Sequence, residues 1–239
     1  MLYLIGLGLN LDGISKYGLE VVKRCKKVYL ENYTIHFPYS IASLSEVLEK
    51  KIVPLDREQV EGLEFLDEAK KMEVALLVYG SPFTATTHIS IIDEAKKSDI
   101  KYKIIYNASV IDAVAETGLQ LYKFGKIASM PQWDVEKHFT PDSFMEVVKD
   151  NQKIDAHSLI LVDIGLNFKD ALRELKESAK IHKISLDKLI ICQALGTPHA
   201  KILYRDLEEL EGFSGVKKPF CMILPGKLHF VEKEFLEDI

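Results

Sequence analysis

The sequence has few cysteines, no long apolar run and no excess of positive charge, and each absence excludes a class of protein. Its three cysteines, Cys25, Cys192 and Cys221, are odd in number and widely separated, which argues against a disulfide framework or a zinc site. No apolar run approaches the roughly 20 residues that span a bilayer. A formal net charge of −5 does not suit a general nucleic-acid-binding protein. We therefore expect a soluble, cytoplasmic protein without a metal ion and without direct contact with nucleic acid or membrane.

The first half of the chain alternates apolar strands with amphipathic helices. Hydrophobic residues make up 47% of the 239 residues, enough for one large or two modest domains. Helices are predicted from Ser43, where Ser43 and Glu46 have capping-box spacing, and over the amphipathic stretch 59–71. This order predicts an α/β domain with a mostly parallel sheet and helices on both faces. The predicted strands are 2–9, 28–30, 52–55, 74–79 and 102–106, with further helices at 15–26 and 89–97.

The second half of the chain is organised differently: some gaps between its predicted elements are longer, and several of its strands are separated by short turns. We place the domain boundary after residue 117, giving domains 1–117 and 118–239. A helix is predicted over 168–182. The second domain should hold a mixed sheet with helices, because its strands do not follow a regular βαβ order. Those strands are 159–162, 189–192, 202–204 and 220–224.

The segment Gly80-Ser-Pro-Phe-Thr-Ala-Thr-Thr-His88 directly follows the predicted strand 74–79 and precedes a helix. Small ligands bind at the carboxyl edge of open α/β sheets, where turns and helix N-termini offer free N–H groups. Pro82 stiffens the turn, the threonines add hydroxyl groups, and no Walker-type lysine is present. The turn therefore suits a ligand with little negative charge, although a capped helix start without any ligand is also compatible with it.

Other turns after strands are weaker candidates. Gly6 and Gly8 either let backbone approach a ligand or ease a tight turn, and Leu11 stands where the dinucleotide fingerprint requires its third glycine. The segments 107–110 and 225–229 also follow strands, but an isolated histidine such as His229 is more often structural. The sequence has no Ser-His-Asp order, nucleophile elbow or spaced carboxylate pair, so it predicts no catalytic residue.

Taken together, Leu4-Ile-Gly-Leu-Gly-Leu9, the Gly80–His88 segment, Leu121-Tyr-Lys-Phe-Gly125 and Pro225-Gly-Lys-Leu-His229 resemble the diphthine synthases, a family of tetrapyrrole-methylase-like methyltransferases. The resemblance implies S-adenosyl-L-methionine in a cleft between the two domains, S-adenosyl-L-homocysteine as product, and usually a homodimer. The cofactor contacts that it implies are Leu9, Ser81, Thr84, Ser109, Val110, Val162, Leu195 and His229. The family usually has Gly-Asp-Pro where this chain has Gly80-Ser81-Pro82, so Ser81 preserves a backbone contact but not a carboxylate contact.

The reaction implied by the resemblance is repeated N-methylation of the 3-carboxy-3-aminopropyl side chain on a histidine of translation elongation factor 2. Displacement at a sulfonium methyl needs alignment and desolvation more than a dedicated acid–base pair. Two alternatives remain at this stage: methylation of a tetrapyrrole such as a precorrin, and a non-catalytic adenosine-ligand-binding module. A nicotinamide dehydrogenase is less favoured because of Leu11.

Overall fold

The computed structural model describes all residues from 1 to 239, and they form two compact units, Met1–Ala113 and Val114–Ile239. The boundary predicted after residue 117 falls at the end of a 3-10 helix, Val114–Thr117, with which the second unit begins. No helix in either unit combines the length and the apolar character that crossing a membrane requires.

The N-terminal unit is a five-stranded parallel sheet with the strand order β3-β2-β4-β1-β5. Crossover helices connect its strands, as a parallel sheet requires. The predicted α/β organisation is therefore confirmed. In chain order the elements are β1 (Leu2–Gly6), α1 (Lys16–Arg24), β2 (Lys27–Glu31), α2 (Ile41–Leu48), β3 (Val53–Leu55), α3 (Arg57–Gly62), α4 (Phe65–Ala69), β4 (Val74–Val78), α5 (Ile89–Lys97), β5 (Tyr102–Ile105) and α6 (Val110–Ala113).

Both faces of this sheet are buried, because side chains alternate between faces along each strand. Tyr3 and Ile5 belong to the same core cluster as residues of α1 and α2. Leu2 and Leu4 point the other way, into a second cluster that includes residues of α4 and α5. Strands covered on both sides need apolar residues at every position, which explains the continuous apolar runs in β1 and β4.

Two helix boundaries in the N-terminal unit differ from the prediction. Helix α2 begins after Ser40, whose side chain accepts a hydrogen bond from the Ser43 backbone N–H at 3.0 Å, so Ser43 is not the cap. The stretch 59–71 is not one helix, because Leu63 takes up the left-handed conformation with φ of 59° and ends α3. Both differences arise from local turn geometry that the hydrophobic pattern does not encode.

The C-terminal unit contains the predicted mixed sheet, with the strand order β6-β7-β10-β8-β9. Helices α7 and α8 supply the apolar side chains that pack with one face of this sheet. After the 3-10 helices Val114–Thr117 and Leu121–Lys123, the elements are β6 (Ala128–Met130), α7 (Phe144–Gln152), β7 (Ser158–Val162), α8 (Phe168–His182), β8 (Lys188–Gln193), β9 (Lys201–Asp206), α9 (Leu207–Glu211), β10 (Phe220–Leu224) and α10 (Phe230–Glu237).

Strand direction in this second sheet decides where its loops emerge. Strand β10 is antiparallel to both β7 and β8, whereas β6 is parallel to β7. Strands β6, β7 and β8 therefore share one carboxyl edge. Strand β10 has its carboxyl end at the opposite edge, since Leu224 pairs with Ser158 at the start of β7.

Candidate functional site

Three loops meet at the carboxyl edge of the N-terminal sheet. Strands β4 and β5 flank β1 and run parallel to it, so the loops after all three strands emerge side by side. Gly8 and Gly80 exchange two backbone hydrogen bonds of 3.1 and 2.9 Å. The side-chain amide of Asn107 donates to the carbonyl oxygens of Gly6 at 3.1 Å and Gly13 at 2.9 Å. The turn after β4 and the loop after β5 are thus both fixed to the loop after β1.

The glycines at this crossing are required by close backbone approach. A Cβ atom on Gly6 would lie 2.6 Å from the Gly80 carbonyl oxygen and 3.0 Å from the Cβ of Asn107. Gly8 and Gly80 have φ values of 72° and 70°, which L-residues with side chains rarely adopt. Backbone from the neighbouring turn, rather than a ligand, is therefore what Gly6 accommodates.

The Gly80–His88 turn is closed on itself by two hydrogen bonds. The Thr84 backbone N–H donates to the Ser81 carbonyl oxygen at 3.1 Å. His88 is buried, and its Nδ1 lies 3.1 Å from the Pro82 carbonyl oxygen, so Nδ1 carries the proton and donates it. Burial lowers the pKa of His88 and keeps its ring neutral. These two hydrogen bonds therefore hold the turn in a single conformation.

The structure brings together the predicted contacts of the N-terminal unit, which lie on these three loops and at the start of α6, at one edge of the sheet. The Tyr79 hydroxyl donates to the Leu9 carbonyl oxygen at 3.0 Å and links two of the loops. The Ser109 backbone N–H and hydroxyl both donate to the Asp112 carboxylate, at 2.8 and 3.0 Å, at the start of α6. The five residues are Leu9, Ser81, Thr84, Ser109 and Val110.

The three loops at this edge carry negative but no positive charge. The loop segments 8–13, 80–88 and 107–113 contain Asp12 and Asp112 but no lysine or arginine. Glu31, at the carboxyl end of β2, is fully buried and accepts hydrogen bonds from the backbone N–H groups of Tyr33 and Thr34. Arg57 lies over the Tyr33 ring, 5.2 Å from its centroid, and adds a positive charge there, whereas the three loops themselves favour a cationic ligand over phosphate. Cationic groups such as a sulfonium or an ammonium fit these loops.

The predicted contacts in the C-terminal unit do not share one edge of their sheet. Val162 ends β7 and Leu195 follows β8, so both lie at the edge where β6, β7 and β8 terminate. His229 follows β10 at the opposite edge, where it is the N-cap of α10. The role of these three residues as cofactor contacts stays a prediction.

Sequence reasoning did not assign Asn107 and Asp112, although both lie in or beside the 107–110 turn. Asn107 donates to the carbonyl oxygens of Gly6, at the end of β1, and of Gly13, in the loop after it, and its Oδ1 also accepts from the Ala108 N–H at 2.8 Å. The only sequence signal was an asparagine placed directly after a strand, which also fits an ordinary turn. Its function in the fold depends on the pairing of β5 with β1.

We expect Asn107→Ala to weaken S-adenosylmethionine binding about tenfold, because the loops after β1 and β5 lose the amide that fixes their positions. Isothermal titration calorimetry measures the change. Exposed Asn32→Ala, in the loop after β2, is the matched control and should leave the affinity unchanged. Equal affinities in both variants would show that the Asn107 amide does not shape the binding site.

Comparison with known proteins places these features in a family. The model of the tetrapyrrole (corrin/porphyrin) methylases matches residues 1–211. A diphthine synthase of Methanococcus maripaludis is 34% identical over 251 residues, covering 99% of this chain and 98% of the relative. A crystal structure of a diphthine synthase superposes with a TM-score of 0.89 at 31% identity, covering 99% of this chain and 94% of the other.

The human diphthine methyl ester synthase is 43% identical over 186 residues, which cover 77% of this chain and 64% of the relative. The match therefore spans less than two thirds of that longer protein, whereas it spans nearly all of the archaeal one. The family match and the similarity over the whole length of the chain agree with the four sequence segments that pointed to this group. The chain belongs to the tetrapyrrole (corrin/porphyrin) methylase family.

Proposed function

We propose that the protein is an S-adenosyl-L-methionine-dependent methyltransferase with diphthine synthase activity. The observation that carries the proposal is the carboxyl edge of the N-terminal sheet, where the loops after β4 and β5 are both hydrogen-bonded to β1 or the loop after it, and the three loops contain two aspartates and no lysine or arginine. The names of the similar proteins support the same activity. The substrate is the 3-carboxy-3-aminopropyl-histidine of translation elongation factor 2, and the reaction belongs to diphthamide biosynthesis.

In this proposal the cofactor contacts lie on segments that follow strands. Leu9, Ser81 and Thr84 lie on the loops after β1 and β4, and Ser109 and Val110 lie after β5. Their groups are neutral, which suits the ribose and adenine, while the carboxylates nearby favour the cationic end of the cofactor. From the second unit, Val162, Leu195 and His229 complete the proposed set.

When bound, S-adenosylmethionine supplies a methyl group that is already activated by its sulfonium. Leu9, Ser81, Thr84, Ser109 and Val110 would hold this donor, which would supply its methyl group to the lone pair of the substrate amine and would be left as S-adenosylhomocysteine. The residues of this chain bind and align the two reactants and exclude water, which supplies most of the rate increase in such a displacement. The amine must lose a proton before each further transfer, and we assign no general base.

We also propose that the enzyme acts in the cytoplasm as a homodimer, with elongation factor 2 as its protein substrate. The negative net charge and the absence of a membrane-spanning helix are compatible with this setting.

The test is incubation of the protein with S-adenosylmethionine and elongation factor 2 that carries the precursor side chain, followed by mass spectrometry of the modified peptide. We expect the mass of several methyl groups on the precursor histidine, and none on elongation factor 2 that lacks the precursor. Methylation of a precorrin with no change in elongation factor 2 would instead identify a tetrapyrrole methyltransferase. Cofactor binding without methyl transfer to either substrate would contradict an enzymatic function.

A further inference from the structure

A buried carboxylate on α10 collects four hydrogen bonds from separate parts of the C-terminal unit. Glu232 is fully buried. Its Oε1 accepts from the Gln120 backbone N–H at 2.9 Å and lies 3.2 Å from His157 Nε2. Its Oε2 accepts from the His229 backbone N–H at 2.7 Å and from the Lys123 ammonium. All of the strong acceptor positions of this carboxylate are therefore used within the protein.

The protonation of His157 follows from its two partners. The Gly226 backbone N–H donates to His157 Nδ1 at 2.9 Å, so Nδ1 must carry a lone pair. The proton of the neutral ring is then on Nε2, from which it is donated to Glu232. Burial lowers the pKa of His157, against the opposing effect of Glu232, and so favours the neutral ring.

The same three side chains hold the segment Pro225–His229 at successive points of its backbone. His157 binds Gly226, Glu232 binds His229, and the Lys123 ammonium donates to the Lys227 carbonyl oxygen at 2.8 Å. The Lys227 N–H adds a fourth bond, to the Asp155 carbonyl oxygen at 3.2 Å. The backbone conformation of this segment is thus fixed mainly by a buried side-chain network and not by a sheet or a helix.

The network fixes the backbone of His229, whose side chain is exposed and makes one long contact with the start of α10. Its Nδ1 lies within 3.5 Å of the Val231 backbone N–H in the N-terminal capping box of α10, and this contact leaves Nε2 turned away from the cap. Moving the Glu232 carboxylate would release the His229 backbone N–H and the first turn of α10 together. The backbone position from which the imidazole extends therefore depends on Glu232.

We propose that Lys123, His157 and Glu232 are positioning residues that set the affinity for S-adenosylmethionine by fixing the backbone that carries His229. The inference rests on the proposed function, in which His229 contacts the cofactor. The three residues act through the 225–229 backbone and do not touch the cofactor themselves.

The first experiment compares two isosteric substitutions of buried carboxylates in the same unit. Glu232→Gln replaces one acceptor oxygen by an NH₂ group facing existing donors, whereas Glu174→Gln changes a buried residue of α8 whose Oε1 contacts Trp133 and not the 225–229 segment. We expect Glu232→Gln to raise the Kd for S-adenosylhomocysteine and the KM for S-adenosylmethionine about tenfold or more, with kcat nearly unchanged. Glu174→Gln should change the affinity less than about twofold.

Two further readouts separate positioning from a general loss of stability. The effects of Glu232→Gln and His229→Ala on the Kd should be far from additive, because both remove the same contact. His157→Gln, which keeps an acceptor and a donor, should retain more affinity than His157→Phe, which keeps the ring volume but loses both. All titrations are made well below the melting temperature of each variant, which circular dichroism establishes.

The outcomes also distinguish this inference from the proposed function. If the unmodified protein binds S-adenosylhomocysteine and Glu232→Gln binds it equally well, the positioning role is wrong while the cofactor site stands. Additive effects of Glu232→Gln and His229→Ala would likewise overturn it. If the unmodified protein does not bind the cofactor at all, the proposed function itself fails.

Discussion

Gly6→Ala will reduce the affinity for S-adenosylmethionine by at least about 100-fold, because misplacing a binding turn by about an ångström has effects of this size. The added Cβ would lie 2.6 Å from the Gly80 carbonyl oxygen and 3.1 Å from the Cδ of Pro82. Neither atom belongs to a flexible side chain, so the turn after β4 must move away from β1. Calorimetry with S-adenosylhomocysteine and a methyl-transfer assay with elongation factor 2 measure the loss.

The control for Gly6→Ala is Gly62→Ala, at the end of α3, where an added Cβ would meet no atom within 4 Å. This variant should bind the cofactor as the unmodified protein does. Circular dichroism verifies that the Gly6→Ala protein remains folded. A folded Gly6→Ala protein with full affinity would mean that the packing of the Gly80 turn against β1 has no bearing on cofactor binding.

Glu232→Ala will destabilise the C-terminal unit by about 3–5 kcal/mol at pH 7, because it leaves a partly buried Lys123 ammonium and two backbone N–H groups without their acceptor. The matched control is Glu237→Ala on the same helix. Glu237 is exposed and pairs only with Lys233 at i,i+4, so its loss should cost less than about 0.5 kcal/mol. Trp133 is the only tryptophan and lies in the C-terminal unit, so its fluorescence during urea unfolding reports on that unit.

The destabilisation by Glu232→Ala will shrink in acid. Burial alone would raise the pKa of Glu232, but the Lys123 ammonium and the N–H groups of Gln120 and His229 outweigh it and lower the pKa from 4.5 to about 2. A lowered pKa gives stability that is complete above about pH 5 and is lost as the pH falls towards the folded-state value. The difference between the unmodified and Glu232→Ala proteins should therefore be about 2 kcal/mol smaller at pH 3 than at pH 7. An equal difference at both values would show that the buried carboxylate is not held ionised.

The elements that the sequence predicts best are those whose pattern is local. Helices α5 and α8 and strand β10 have the predicted bounds, because each carries its full periodic or apolar pattern within its own length. The start of α2 was missed because Ser40 and Ser43 are both suitable caps and only the backbone decides between them. The break at Leu63 was missed because a leucine in the left-handed conformation has no sequence signature.

The candidate site likewise has parts that the sequence predicts and parts that it does not. The turns after β1, β4 and β5 were predictable, because parallel strands bring their carboxyl ends to one edge. The sequence does not predict whether His229 shares an edge with Val162, since this depends on β10 lying between β7 and β8 in the sheet. The Glu232 network is not predictable from the sequence either, because its partners His157 and Lys123 are 75 and 109 residues away in the chain.

The central claim is that the carboxyl edge of the N-terminal sheet holds S-adenosylmethionine. Amide hydrogen exchange, measured by mass spectrometry with and without saturating S-adenosylhomocysteine, tests it most directly. We predict slower exchange in residues 80–88 and 107–113, with no change in α3 as an internal reference. Protection elsewhere in the chain, with unchanged exchange in both of these segments, would contradict the claim.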